Sequence, residues 1–244
     1  MTLDLATLTL QKGGHSGPDQ GCCLLEAVAY MAGEDWSDRP QCVCPVLGTF
    51  GRNLNDVLPD GKRQVLVPLV PELIGTRDDG YAQVRSYMAL DWLVREYLPA
   101  WLAVSGRIDG GHVRAVRGLA PIVDMASARA AGVVVLGARD AASAAGAAAG
   151  AAARAAAGAA ARDAAWDAAR DAAWDAAGDA AGAAAGAAAG AAARDAARDA
   201  ARDAAGAALA PTVQHLQDSA IDLYTRMIRI GHPGATTPPT ASHS

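Results

Sequence analysis

Hydrophobic and polar positions along this 244-residue chain fall into distinct regimes. Up to residue 137, apolar residues recur at helical spacing in short runs punctuated by Gly and Pro. Over 138–210 most residues are Ala, and from Gly146 to Gly206 every fourth residue is Gly, Arg or Trp with mainly Ala between. A single apolar stripe returns over 211–230, and 231–244 is dominated by Pro, Thr and Ser. The pattern predicts an all-α chain: a small N-terminal helical domain over 1–137, a long Ala-rich repeat helix over 138–210, straight or folded back, a C-terminal amphipathic helix over 211–230 that docks on the N-terminal domain, and a disordered tail over 231–244.

Within the N-terminal domain, residues 2–10 alternate as a short extended segment and lead into a loop over Gly13 to Pro18. Cys22 to Met31 reads as a buried helix, with Asp19 as its cap and Gly33 as its stop. A polar loop, Glu34 to Gln41, follows, and its Asp38 and Arg39 are expected to join Glu26 in a buried charge cluster. Pro45 opens a second helix with Val46, Phe50, Leu54 and Val57 on one face. Asp60 caps a third, Arg63 to Ile74, which Pro68 and Pro71 kink or divide before Gly75 closes it. Asp78 or Asp79 opens a longer helix with Tyr81, Val84, Met88, Trp92, Leu93, Tyr97, Trp101 and Leu102 along one broad face, bent near Pro99. Residues 112–129 read as irregular helix broken at Pro121. Val133 to Leu136 reads as helix too, because no second strand pattern exists for it to pair with. Pro211 starts the closing helix, in which Val213, Leu216, Ala220, Leu223, Tyr224, Met227 and Ile228 share a face.

The Ala-rich tract follows a four-residue period, which overshoots one helical turn by about 40°, so its marked row winds slowly around a helix and makes no heptad seam. Unbroken, such a helix reaches on the order of 100 Å, and Gly178, Gly182, Gly186 and Gly190 are the places for it to bend. Between Gly146 and Gly206, Trp166 and Trp174 are the only large apolar groups and, with Arg162 and Arg170, the candidate interaction side chains. The rest offers small residues that let a neighbouring helix come close. Its uncharged run, Ala180 to Ala193, is shorter than the roughly 20 apolar residues that a spanning helix needs, which argues against a membrane partner.

Composition changes this picture in a few places. The chain is 52% hydrophobic, but much of that is Ala and aromatics are 5%, so the substantial core must lie outside the tract. A net charge of −5 argues against a nucleic-acid partner. No basic leader segment opens the sequence, and the cysteine pairs do not suit a secreted disulfide framework; a cytoplasmic location is the expectation. Candidate chemistry is confined to His15, Cys22, Cys23, Cys42 and Cys44. Two Cys pairs and a His have the ligand types for zinc, although adjacent Cys22 and Cys23 diverge by about 100° on a helix. As an alternative, a helix N-terminus favours the Cys22 or Cys23 thiolate, with His15 as base. The bland reading is that cysteines among apolar neighbours are small core hydrophobes. Walker, dinucleotide and nucleophile-elbow motifs are absent, so the sequence names no catalytic residue and no cofactor beyond that zinc.

The run GCCLLEAVAYMAGEDWSDRPQCVCPVL, followed by NDVLPDGKRQ and LIGT, resembles the N-terminal region of Ala-rich helical proteins from actinobacteria and their phages. The likeness spans residues 8–105, and the set has no assigned activity. It implies the helical architecture and that biological context, and transfers no catalytic residue. The tract is also similar in composition to Ala-rich segments of bacterial immunity proteins. The leading expectation is a non-enzymatic helical interaction or scaffold protein, which binds a protein partner or itself. The alternatives are a small thiol- or zinc-dependent enzyme and an immunity-type protein that binds a toxin.

Overall fold

The structure, a computed structural model, describes residues 4–105, 110–141, 143–144 and 206–231. Among these every regular element is helical and none is a strand. Trp166, Trp174, Arg162 and Arg170, the bend glycines of the tract and the tail beyond Gly231 lie outside the described residues.

Asp4 to Thr7 form a turn, and the expected extended segment survives only as residues 8–10, where Leu10 exchanges hydrogen bonds with the Gln64 side chain. Helix α1, Leu24–Ala32, starts two residues later than the apolar run suggests. Its cap is Cys23, whose N–H donates to the Glu26 carboxylate at 2.8 Å, half of a capping box, while Asp19 sits upstream in a 3₁₀ turn. Gly33 ends it in the left-handed conformation (φ 74°), which lets Glu34 N–H bond back to the Ala29 carbonyl.

Helix α2, Pro45–Val57, opens on its proline, but its buried face is Leu47, Gly48, Gly51, Leu54 and Asn55. Val57, expected on that face, is exposed. The prolines divide the third segment into α3 (Asp60–Arg63), a 3₁₀ stretch (Gln64–Leu69) and α4 (Val70–Leu73), closed by Gly75 at φ 81°. Asp60 pairs with Arg63 at 2.8 Å instead of capping.

Helix α5, Ala82–Trp92, runs through a π-helical turn, Leu93–Tyr97, into α6, Leu98–Ser105. Pro99 has no N–H to return to the carbonyl four residues back, and the helix is wound wider in the turn before it. The buried residue of α5 is Arg85, whereas Val84 and Leu93 of the expected apolar face are exposed. After α7, Gly110–Arg117, the chain leaves helix through Pro121 and re-enters it at 125. Asp124 caps this helix, α8 (125–141), by exchanging hydrogen bonds with Ser127, and Asp91 accepts the Ile122 N–H at 2.8 Å to hold its entry against α5.

The closing helix, α9, is continuous over 206–228, so Pro211 lies inside it. Its Leu223, Tyr224, Met227 and Ile228 are fully buried among α1, α2 and α4, in one core with Leu24, Leu25, Val28, Leu47, Leu66 and Leu73. Burial of each such side chain contributes about 2 kcal/mol. The seat is also polar: Tyr224 Oη donates to the Leu47 carbonyl at 3.2 Å, Trp92 Nε1 to Ser219 Oγ at 2.6 Å, and Arg85 Nε to the Met227 carbonyl at 2.8 Å. A second, smaller core joins Val94, Leu102, Val113, Val116 and Ile122 to Ala131 and Ala138 of α8. Helices α5 and α6 therefore bridge the two cores, Met88 and Trp92 leaning on the first, Val94 and Leu102 on the second.

Candidate functional site

The five residues with ligand chemistry fold into two separate nodes. In the first, Glu26 is 2% exposed in an apolar helix, an arrangement that is costly unless every oxygen is satisfied. It is satisfied by backbone and imidazole: Oε1 accepts the His15 N–H at 2.6 Å, while Oε2 accepts the Cys23 N–H and meets His15 Nδ1, each at 2.8 Å. Trp36 Nε1 donates to the His15 carbonyl at 2.8 Å, and Asn55 Nδ2 to the Gln11 carbonyl at 2.9 Å. The Gly13–Pro18 loop is thus tied to α1 through one carboxylate. Asp38 and Arg39 take no part; Asp38 faces Arg52 and its neighbour Arg39 at the surface.

In the second node, Glu34 accepts the Gln41 and Cys42 N–H groups, and the Cys44 N–H donates to Thr76 Oγ1 at 3.0 Å. Arg77 N–H then bonds the Cys42 carbonyl at 3.1 Å. Burial works against the Glu34 charge, but those backbone donors and the Cys42 thiol outweigh it, so its carboxyl is held below the usual range. The node fastens the Trp36 loop to the start of α2 and the end of α4.

Among the described residues no group of three or more His, Cys, Asp or Glu side chains is placed to hold a metal ion. All four cysteines are free thiols; Cys22, Cys23 and Cys44 are buried and Cys42 half-buried. Burial, reinforced by the Glu26 charge, pushes the Cys22 and Cys23 thiols up to about 12, the opposite of the lowering expected from a helix N-terminus. The dipole loses because both sulfurs are removed from water beside a carboxylate; separately, Nδ1 of His15 is engaged by Glu26.

Two grooves among the described residues are lined by polar and titratable side chains. A groove of about 320 Å³ runs past Cys22 and is walled by Thr7, Gln11, Asp19 and Tyr30. Another, of about 430 Å³, lies where α9 crosses the π turn and α7, between Arg95, Arg117 and His215. His215, a histidine without an evident partner in the sequence, meets Glu96 there at 2.6 Å.

Large apolar side chains also remain outside both cores. Along α8, Met125 is 56%, Val133 74% and Leu136 50% exposed. Ala131 and Ala138 face the second core with Ala128, Val134 and Val135, while Ala126, Arg129, Ala130, Val133, Leu136, Gly137 and Asp140 face outward. Leu90, Leu93 and Tyr97 form another exposed run on α5 and the π turn. The sequence pattern missed this outward face, because VVVL reads as core wherever it occurs.

The chain matches no family model, no curated protein and no solved structure. Among the described residues no helix is long and apolar enough to cross a membrane.

Proposed function

We propose that this chain is a non-enzymatic helical interaction or scaffold protein that acts in the cytoplasm of an actinobacterium or in its phage. The observation that supports this reading best is the outward apolar face of α8, centred on Val133 and Leu136. Scattered exposed apolar residues are ordinary, but two large ones one turn apart, set among Ala and Gly, make a surface fitted to another helix. The hydrogen bonds that commit Glu26 to His15 and Cys23, and Glu34 to Cys42, favour this reading over a thiol- or zinc-dependent enzyme. An immunity-type role is one form of the same reading, with a toxin as the partner.

The test is retrieval of partners by tagged, purified full-length protein from an actinobacterial lysate, with wild type compared against Val133→Asp and Leu93→Asp. The reading expects a protein, or an untagged second copy, to be held at defined stoichiometry by wild type and lost in a variant that melts like wild type. Identical retrieval by all three proteins would overturn it.

A further inference from the structure

We infer that the outward face of α8 is the seam of a symmetric antiparallel pair formed by two copies of this chain. The inference rests on the interaction reading and names its partner. On a helical projection Ala126, Arg129, Ala130, Val133, Leu136, Gly137 and Asp140 fall within one arc of about 120°, and all of them are exposed. Val133 sits in its middle and Leu136 at one edge, with Arg129 and Asp140 between them. Ala126, Ala130 and Gly137 lower the rim, so a second helix backbone can approach.

Charge selects the occupant. Arg129 lies four residues before Val133, and Asp140 lies four residues after Leu136. A two-fold axis passing midway between Val133 and Leu136 therefore sets Val133 against Leu136 of the second copy, and Arg129 against Asp140, at both ends at once. Such an isologous contact needs one self-complementary patch, and this face is one. A parallel pair would instead set Arg129 on Arg129 and Asp140 on Asp140, which like-charge repulsion opposes. Asp140 already accepts Arg139 of its own chain at 3.0 Å, a solvent-exposed pair that leaves room for a second guanidinium. The opposite face of α8 is occupied by the second core, so α8 offers this one face to a partner.

Over 125–141 the face is about 25 Å long. The inference is of a reversible dimer, whose strength the concentration dependence of its mass reads out. Sedimentation of the full chain between about 1 and 200 μM is the test. Wild type is expected to rise from the 24.7 kDa monomer toward twice that mass. Val133→Asp, Arg129→Asp and Asp140→Arg are each expected to weaken association by about tenfold or more, with circular dichroism and melting unchanged because all three positions are exposed. The double variant Arg129→Asp with Asp140→Arg recreates the same pairing with signs exchanged, and is expected to restore dimerisation to near the wild-type level.

A wild-type chain that stays monomeric throughout overturns the inference, as does a dimer indifferent to Val133→Asp. Single reversals that weaken association with no rescue in the double variant overturn the antiparallel register. A monomeric wild type that still retrieves another protein through Leu93 or Val133 would sink this inference and leave the interaction reading standing.

Discussion

Gly51 lies in the middle of α2, where glycine costs about 1 kcal/mol relative to alanine, so on helix propensity alone Gly51→Ala should stabilise. The closing helix reverses that sign. A Cβ built on Gly51 would collide with the Tyr224 hydroxyl, would stand 2.9 Å from Tyr224 Cζ and would press on Leu24 at 3.4 Å. Tyr224 cannot simply swing away: it is fully buried, bonded through Oη to the Leu47 carbonyl and stacked on Phe50 at 5.7 Å. Overpacking of this kind costs about 1–3 kcal/mol, and displacing the hydroxyl adds about 1 kcal/mol for its hydrogen bond. After the propensity gain, the net loss is about 1–3 kcal/mol. In a chain of this size that lowers the melting temperature by roughly 3–10 °C. Gly61→Ala in α3 is the control, since its added Cβ meets nothing within 4 Å, and it should melt at or above the wild-type temperature. On a Tyr224→Phe background, which removes the colliding oxygen, Gly51→Ala should cost distinctly less. If Gly51→Ala raised the melting temperature as Gly61→Ala does, α9 would not be seated in the groove that α2 leaves for it.

Other outcomes follow from the same contacts. Arg85→Met removes a fully buried guanidinium that holds Asp79, the Thr76 carbonyl and the Met227 carbonyl, and should destabilise by about 3 kcal/mol in a chemical denaturation. Burial opposes the Asp79 charge, but the hydrogen bonds from Arg85 and Tyr81 and the Arg85 charge hold its carboxyl below the usual range, as Glu34 is held by its own donors. A depressed folded pKa gives stability that is present above the unfolded carboxylate value, about 4, and is lost as pH falls through the folded one; melts should weaken below about pH 4, less so in Arg85→Met. Glu26→Ala leaves the His15 and Cys23 N–H groups without their acceptor, and should cost about 2–3 kcal/mol and speed labelling of Cys22 and Cys23.

Local signals in the sequence were readable where the chain itself supplies the cause. Pro45 begins α2, Gly33 and Gly75 end their segments in left-handed backbone, and the stripe Leu216, Ala220, Leu223, Tyr224, Met227 and Ile228 is the face that α9 buries. What stayed hidden depends on partners distant in sequence. Arg85 looks like a solvent-facing residue until its acceptor on Met227, 142 residues away, is in place. Val46 and Phe50 do lean on the core from α2, but Val57 is exposed and Gly51 lies on the buried face, where Tyr224 fills the space it leaves. Apolar periodicity rewards large side chains and cannot register a groove made by their absence. At the candidate site the residue types were legible and their roles were not: His15, Cys22, Cys23, Cys42 and Cys44 carry the right atoms for zinc or a thiolate, but Glu26 and Glu34 draw the surrounding N–H groups into two structural fasteners. Val133 to Leu136 is helical as expected, but it belongs to a helix that runs from 125 past the expected boundary at 137, and its outward face was not foreseen, because helical periodicity does not say which of VVVL meets the core.

That the His15–Glu26–Cys23 node is a fastener is tested most directly by native thiol titration of the purified full chain, with zinc measured on the same sample. Cys22, Cys23 and Cys44 should label slowly at neutral pH, all four thiols should label promptly once the chain is unfolded, and the protein should carry zinc at far below one ion per chain. Rapid native labelling of Cys22 or Cys23, or one zinc per chain whose removal exposes new thiols, would contradict the account and return the node to chemistry.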